Sequence, residues 1–208
     1  TTSAAPVRIL EMGFGTGLNA WLTLKEAESM AERAAEGGVE AERASVTVDY
    51  TAVELHPVPE AVAARLNYTD DPRFEAMHAA PWERIGEPKA DEPTRIDDRF
   101  SLRKIHGDLA EILTSAEKPA AANRPSDSSH GYEVIYYDAF APDAQPELWT
   151  EAIFAQIFEA TAPGGVLVTY CSKGDVKRAL RAAGFEVERL PGAMGKRHML
   201  RATKNIHK

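Results

Sequence analysis

An acidic residue followed by three alternate glycines, Glu11-Met-Gly-Phe-Gly-Thr-Gly17, is the pattern in this sequence best suited to hold a ligand. The apolar run 7–10 before it predicts a buried strand, and the apolar spacing over 18–24 after it predicts a helix. Glycines let the backbone turn sharply and approach a ligand closely, and a helix N-terminus offers unpaired N–H groups. Strand, glycine turn and helix are typical of the ligand crevice of an open α/β sheet.

The glycine spacing argues against a dinucleotide site. A pyrophosphate fingerprint reads Gly-x-Gly-x-x-Gly, whereas here the third glycine comes one residue early and Leu18 replaces the last glycine. Glu11 would add negative charge beside a pyrophosphate, so it favours a cationic or zwitterionic ligand. The pattern resembles the first motif of class I S-adenosylmethionine-dependent methyltransferases, which implies that the methionine part of the cofactor lies against this loop. The expected contacts are Glu11, Gly13, Gly15, Thr16, Gly17 and Asn19.

Two further acids follow predicted strands. Glu54 lies at the end of the strand predicted over 46–55, where a carboxylate commonly accepts hydrogen bonds from ribose hydroxyls; a solvated strand end is the alternative. Asp108 follows an alternating strand over 100–106. The resemblance implies a place for Asp108 near the adenine amino group, whereas the N-cap of a helix over 109–113 is the alternative. One side chain could serve both purposes.

The fourth main strand, predicted over 132–138, runs into Asp138-Ala-Phe-Ala-Pro142. The strand in this position of an open α/β sheet ends over the reactive atom of the cofactor, so the acceptor substrate is expected there. Asp138 is the candidate proton acceptor for an amine nucleophile. Phe140 and either Tyr136 or Tyr137 could form an aromatic wall, although core packing is the alternative for the tyrosines.

The remaining patterns predict a Rossmann-like α/β fold, with a doubly wound, mostly parallel seven-stranded sheet and an antiparallel last strand. We expect one domain over residues 1–208, with surface loops at 86–98 and 115–130. The other predicted elements are helices at 57–66, 149–162 and 173–183 (the last capped by Ser172), a turn at 163–165, and strands at 166–171, 186–190 and from 196.

Composition and charge indicate the cellular compartment and the kinds of partner to expect. The sequence has 208 residues, a net charge of −8 and one cysteine. It has no apolar run of spanning length and no recognisable signal peptide, which favours the cytoplasm and no membrane partner. Residues 173–208 contain ten basic and three acidic side chains, against 14 and 29 in the rest of the chain. Such asymmetry can mark a polyanion-binding face, although a basic surface without a partner is the alternative.

Four segments together resemble the MnmC-like tRNA methyltransferase domain: 11–19, 138–142, Pro-Glu-Leu-Trp-Thr at 146–150 and Gly-Lys-Arg-His-Met-Leu at 195–200. The resemblance implies methyl transfer from S-adenosylmethionine to the amine of 5-aminomethyl-2-thiouridine at the tRNA wobble position. Some relatives fuse the domain to an oxidase and carry a segment before the first motif. This chain looks like the stand-alone form, so other enzymes would supply its aminomethyl uridine.

The residues around the predicted acceptor site also suggest a substrate surface, and no metal is expected. Asp138 and Phe140 are the expected catalytic residues, and Asp138 also faces the cofactor. The expected substrate or tRNA contacts are Tyr136, Phe140, Pro142, Trp149, Lys196 and Arg197, with the basic helix at 173–181. Three alternatives stay open: a methyltransferase acting on another amine, an aminopropyltransferase-like enzyme, and a non-catalytic tRNA- or protein-binding module.

Overall fold

A computed structural model describes residues 5–36, 46–84, 87, 92–114, 131–192 and 198–206. The strands in these ranges are β1 (Val7–Met12), β2 (Val48–Glu54), β3 (Trp82–Arg84), β4 (Thr94–Arg95), β5 (Phe100–His106), β6 (Tyr132–Tyr137), β7 (Thr161–Thr169), β8 (Glu186–Pro191) and β9 (His198–Thr203). The helices are α1 (Leu18–Glu36), α2 (Glu60–Ala63), α3 (Pro72–Ala79), α4 (Leu109–Thr114), α5 (Glu151–Ala160) and α6 (Gly174–Ala182), with a 3₁₀ helix at Pro146–Trp149.

These strands form one nine-stranded sheet in the order β3-β5-β2-β1-β6-β7-β9-β8, with β4 paired to β5. Strands β5, β2, β1, β6 and β7 run parallel, and β9 is antiparallel to both β7 and β8. The mostly parallel sheet and the antiparallel last strand are confirmed. The predicted count of seven was short because it did not include β3 and β4, which both pair with β5.

The order of the strands places the crevice. From β1 the chain builds outward through β2 and β5 on one side, and through β6 and β7 on the other. The helices that follow β1 and β6 therefore lie on opposite faces, and the gap between them opens at the carboxyl ends of these two strands. This is where the glycine loop after β1 and Asp138 after β6 meet.

Each face of the sheet has its own apolar core. Helix α1 packs Leu24 and Trp21 on one face, where the Trp21 ring meets Phe74 of α3 edge to face at 5.8 Å. Helices α5 and α6 bury Phe154 and Leu180 on the other face. The two cores pack against β1 and β6 from both faces of the sheet. They therefore fix the strand ends at which the crevice opens.

Several element boundaries differ from the predictions. The helix predicted over 57–66 is only the single turn α2, which buries no side chain and follows Pro59, so it lacks the apolar stripe that would extend it. The predicted loop at 86–98 contains strand β4, which pairs with β5. The other loop, at 115–130, lies outside the described residues.

Three further differences concern hydrogen bonds at the boundaries of β7, α5 and α6. Residues 163–165 were expected to form a turn, but they lie within β7, where the Gly164 N–H donates to the Lys204 carbonyl at 2.7 Å. Helix α5 begins after Thr150, whose hydroxyl accepts from the Ile153 N–H at 3.3 Å. Ser172 does not cap α6, because the capping position is Lys173, which makes no side-chain cap bond.

Candidate active site

A cavity of about 330 Å³ opens at the carboxyl ends of β1, β2, β5 and β6. Its lining combines the glycine loop, acids from three strand ends and the segment that follows β6. The lining residues are Met12, Gly13, Phe14, Gly15, Thr16, Leu18, Asn19, Val53, Glu54, Leu55, Gly107, Asp108, Leu109, Asp138, Ala139, Phe140, Gln145 and Leu148. We call 13–17 with Glu54 and Asp108 the cofactor half, and 138–140 with its supporting side chains the acceptor half.

The three glycines of the loop each have positive φ, at 92°, 51° and 72° in chain order. A Cβ on Gly13 would lie 2.8 Å from the Asp138 carbonyl oxygen, so the loop and the end of β6 approach too closely for any side chain. A Cβ on Gly15 would meet no atom within 4 Å. Glycine is therefore favoured at this position because of its left-handed backbone conformation and not because of crowding. The open space beside Gly15 is available to a ligand.

Glu54 joins the loop to the end of β2. Its Oε2 accepts from the Gly15 N–H at 3.0 Å and its Oε1 from the His56 N–H at 2.8 Å. The residue is 8% exposed and lines the cavity. Each carboxylate oxygen can accept two hydrogen bonds, so both retain capacity for hydroxyl donors of a ligand.

A chain of polar side chains links the buried Glu11 to the exposed Asp138. The Asn19 side-chain amide donates to Glu11 Oε1 at 2.8 Å and to Asp138 Oδ2 at 3.3 Å. Burial raises the pKa of Glu11 to about 8; hydrogen bonds from Asn19 and Tyr50 oppose this rise, and the charges of Asp138 and Glu54 add to it. Glu11 does not line the cavity, and Asn19 connects it to Asp138.

Asp108 has the capping role that was the alternative to adenine binding. Its Oδ1 accepts from the Ala110 N–H at 2.7 Å and, at 3.4 Å, from the Glu111 N–H at the start of α4. The residue also lines the cavity. Capping and ligand contact are therefore compatible at this position.

The acceptor half is held by side chains that donate to its backbone. The Tyr170 hydroxyl donates to the Ala139 carbonyl at 2.9 Å, and the Trp149 indole N–H donates to the Phe140 carbonyl at 2.8 Å. Phe140, with its carbonyl fixed, lines the cavity and is 60% exposed. Asp138 is exposed beside it, so a carboxylate and an aromatic ring lie together at the opening.

Several expected substrate residues lie elsewhere. Tyr136 packs between α1 and β2, where its hydroxyl accepts from Thr23 at 3.2 Å and its ring lies 6.3 Å from Tyr50, and it does not line the cavity. Tyr137 is buried in the core, the alternative that the sequence left open. Trp149 is buried and supports the segment from behind. Pro142 does not line the cavity.

Lys196 and Arg197 lie outside the described residues. Tyr170, Leu18 and Gln145 were missed as residues of the site. The signal for Tyr170 was its position at the carboxyl end of β7, and the signal for Leu18 was its place directly after the glycine loop.

Comparisons with known proteins agree with this geometry. A model of the family described as S-adenosyl-L-methionine-dependent methyltransferase matches residues 72–205. The match covers more than half of the chain, which therefore belongs to this family.

The curated relatives give a narrower resemblance. The chain is 32% identical over 198 residues to the tRNA 5-methylaminomethyl-2-thiouridine biosynthesis bifunctional protein MnmC of Aromatoleum aromaticum, covering 93% of this chain and 27% of that protein. It is 31% identical to the protein of the same name in Magnetococcus marinus, covering 93% and 26%. The resemblance to the MnmC-like domain is confirmed, and the chain spans about a quarter of the length of these relatives.

A solved structure shares the fold. MnmC2 from Aquifex aeolicus superposes with a TM-score of 0.60 at 22% identity, covering 98% of this chain and 54% of that one. The predicted class I methyltransferase fold is thereby confirmed.

The cavity fits S-adenosyl-L-methionine, the cofactor of this family. Its volume lies within the usual range of about 300–1,000 Å³ for small-molecule sites. Glu54 would have acceptor capacity for ribose hydroxyls, and Val53, Leu55 and Leu109 would form an apolar wall beside adenine. The open side of Gly15 leaves room for the ligand to lie against the loop.

Proposed function

We propose that this chain transfers a methyl group from S-adenosyl-L-methionine to the amine of 5-aminomethyl-2-thiouridine at the wobble position of tRNA. One observation carries the proposal: Asp138 and Phe140 lie exposed together at the opening of the cofactor cavity. They do so in a chain whose relatives are named for the biosynthesis of this methylated nucleoside. Such a substrate calls for a carboxylate that can accept the proton of its amine and an aromatic ring that can stack on its base.

Proton removal is the first task of the protein. The bound cofactor supplies an activated methyl group on its sulfonium, and an amine attacks it only when the amine is unprotonated. Asp138 accepts the proton of the amine and orients its remaining N–H bonds. The Asn19 amide, 3.3 Å from Asp138 Oδ2, fixes the direction of that carboxylate. Glu11, with its pKa raised to about 8, stays largely neutral at neutral pH and adds no second negative charge behind Asp138.

Positioning of the base is the second task. Bases in single-stranded loops are commonly read by stacking on aromatic side chains. Phe140 offers such a face, and Trp149 keeps it at the cavity by donating to its carbonyl at 2.8 Å. Holding the amine and the methyl group in line can supply a large part of the rate acceleration.

The proposal extends to partners and setting. The partners are tRNA and the enzymes that make the aminomethyl uridine, and the reaction takes place in the cytoplasm. Among the described residues, no helix has the length and apolar character needed to cross a bilayer. The same residues contain no group of three or more His, Cys, Asp or Glu side chains arranged to hold a metal ion. We further propose one domain over 1–208, because the described strands belong to a single sheet.

The acids around the acceptor half argue against the aminopropyltransferase-like alternative. A polyamine site would need several free carboxylates near Asp138. Asp143 is paired with Lys173 at 2.6 Å, so its charge is already compensated. Glu147 remains as a nearby exposed acid.

The test is methyl transfer from isotopically labelled cofactor to two matched tRNAs, one with 5-aminomethyl-2-thiouridine at the wobble position and one with 2-thiouridine. We expect label only in the first tRNA, recovered as 5-methylaminomethyl-2-thiouridine after digestion to nucleosides. Labelling of both tRNAs, or label on a small polyamine in a parallel reaction, would contradict the proposed substrate. Tight cofactor binding without any transfer would favour a non-catalytic module.

A further inference from the structure

Three cations share one surface at the edge of the sheet. Lys177 and Arg181 lie one turn apart on α6, and Arg189 lies on β8. Val187 is buried in the core beneath α6, so Arg189, two residues later on the same strand, faces the same side. Arg181 reaches this strand directly, since its Nη2 donates to the Val187 carbonyl at 3.3 Å. We call these three residues the α6–β8 cation cluster.

The charges of the cluster are not compensated by acids. None of the three residues forms an ion pair with an acid in the described part of the chain. Desolvation and the neighbouring charges of Arg181 and Arg189 lower the pKa of Lys177, as expected where cations crowd together. Like charges four residues apart on a helix are destabilising when nothing neutralises them. A surface of this kind gains stability when an anion binds.

The other described cations of this region are already engaged. Lys173 pairs with Asp143 at 2.6 Å, Arg178 pairs with Asp175, and Arg201 pairs with Glu188 at 2.5 Å. Lys204 donates to the carbonyls of Phe158 and Thr161 at 2.7 and 2.9 Å. The excess positive charge of the basic C-terminal region is therefore concentrated, within the described residues, at the α6–β8 cluster.

Helix α6 starts beside the segment after β6 and leads from there to the cluster. Helix α6 begins just after Tyr170, which binds the Ala139 carbonyl, and Lys173 pairs with Asp143 of the same segment. At about 1.5 Å per residue, Lys177 is about 6 Å and Arg181 about 12 Å further along the helix axis from Lys173. An elongated polyanion with one nucleotide at Asp138 could therefore continue along α6.

We propose that the α6–β8 cation cluster binds backbone phosphates of the RNA substrate, beyond the nucleotide that is modified. This inference rests on the proposed function, and it replaces a uniform basic helix with three named contacts. Phosphate contacts supply affinity without reading sequence, and each one adds to the salt dependence of binding. The cluster therefore sets how tightly tRNA binds, whereas Asp138 and Phe140 select the nucleotide.

The test is the affinity of the protein for fluorescently labelled tRNA over a range of salt concentrations. The variant Lys177→Gln/Arg189→Gln removes two contacts and keeps Arg181, which also bonds to the backbone. The matched control is Arg178→Gln/Arg201→Gln, which removes two cations of the same region that are paired with acids. Both variants should bind S-adenosyl-L-methionine like the wild type, since none of the four residues lines the cofactor cavity.

We expect the first variant to bind tRNA about tenfold more weakly at moderate salt, with a slope of log K against log salt shallower by about 1.5, as loss of two phosphate contacts requires. The control should keep the wild-type slope. Equal slopes for the two variants, with methyl transfer to tRNA intact, would overturn the cluster and leave the proposed function standing. Absence of tRNA binding and methyl transfer in the wild type would overturn both.

Discussion

The two halves of the cavity are built in different ways. The cofactor half is made from backbone, with three glycines at positive φ and a Gly15 N–H that donates to Glu54. The acceptor half contains no glycine, and two of its carbonyls, those of Ala139 and Phe140, are held by the side chains of Tyr170 and Trp149. The first half is shaped by what the backbone can do, and the second by what neighbouring side chains donate.

This difference in construction suits cofactor binding in one half and the choice of acceptor substrate in the other. A backbone cradle is insensitive to most side-chain changes, which suits a cofactor common to a whole family. A segment supported by side chains from β7 and the 3₁₀ helix can be re-aimed by changing one donor, which suits an acceptor site. Asn19 connects the halves, because its amide contacts both Glu11 and Asp138.

Removing the acid of the acceptor half should have the largest effect. We expect Asp138→Asn to lower kcat for methyl transfer by about 10²- to 10⁴-fold, the usual contribution of a proton acceptor, because the amide cannot take the proton of the amine. The affinity for S-adenosyl-L-methionine should stay within about threefold, since an amide oxygen can still accept from Asn19. Single-turnover kinetics at saturating cofactor measures the first quantity.

The neighbouring acid Asp143 provides the control for this experiment. It lies in the same segment but is paired with Lys173, so Asp143→Asn should retain nearly all of kcat. An equal loss in both variants would indicate that general charge in the segment matters, and not a proton acceptor at Asp138.

Glu11, the acid that Asn19 contacts, should make the stability of the folded protein depend on pH. The pKa of Glu11 is raised from 4.5 to about 8 by burial, so between these values the folded protein binds a proton that the unfolded chain has lost. Its contribution to stability is present below about pH 4.5 and is lost as the pH rises towards 8, by up to about 1.4 kcal/mol per pH unit.

Glu11→Gln should remove this loss. We expect the melting temperature of the variant to exceed that of the cofactor-free wild type at pH 8.5, and the two to converge near pH 5. Thermal melts over this pH range measure the effect, with the exposed Glu147→Gln as a matched control. Parallel pH profiles for wild type and Glu11→Gln would rule out a raised pKa at this position.

A smaller effect is expected from one donor of the acceptor half. Tyr170→Phe removes the hydrogen bond to the Ala139 carbonyl, worth about 0.5–1.5 kcal/mol. The KM for tRNA should rise about three- to tenfold while the cofactor affinity stays unchanged. Tyr68→Phe, which removes a hydroxyl 3.1 Å from Thr16 Oγ1 on the opposite side, should leave the KM for tRNA unaltered. A larger change in cofactor affinity than in KM for tRNA would show that the halves are not separable.

The sequence predicted the cofactor half more fully than the acceptor half. The reason is that local sequence determines backbone geometry better than it determines contacts between distant side chains. Gly13, Gly15 and Glu54 could be placed at the cavity because a glycine turn and a strand-end acid follow from local order along the chain. The place of Asp138 followed from the alternation of strands and helices. These assignments depend on backbone geometry, which local sequence largely determines.

The supporting side chains could not be derived in this way. Tyr136 and Trp149 were expected at the substrate, but the packing of α1 and of the 3₁₀ helix turns both away from the cavity. Tyr170 lies 31 residues from the carbonyl it holds, and no local pattern links the two. Helix α2 was predicted too long because 60–66 has good helix propensity, yet Pro59 precedes the helix and its single turn buries no side chain.

Titration calorimetry with S-adenosyl-L-methionine tests the division of the cavity most directly, using the wild type, Glu54→Ala and Asp138→Asn. We predict that Glu54→Ala weakens binding by about 10- to 150-fold, the equivalent of about 1.5–3 kcal/mol for bonds to a charged acceptor. Asp138→Asn should bind within about threefold of the wild type. Equal losses in both variants, or no binding by the wild type, would contradict a cofactor half organised by Glu54 and an acceptor half organised by Asp138.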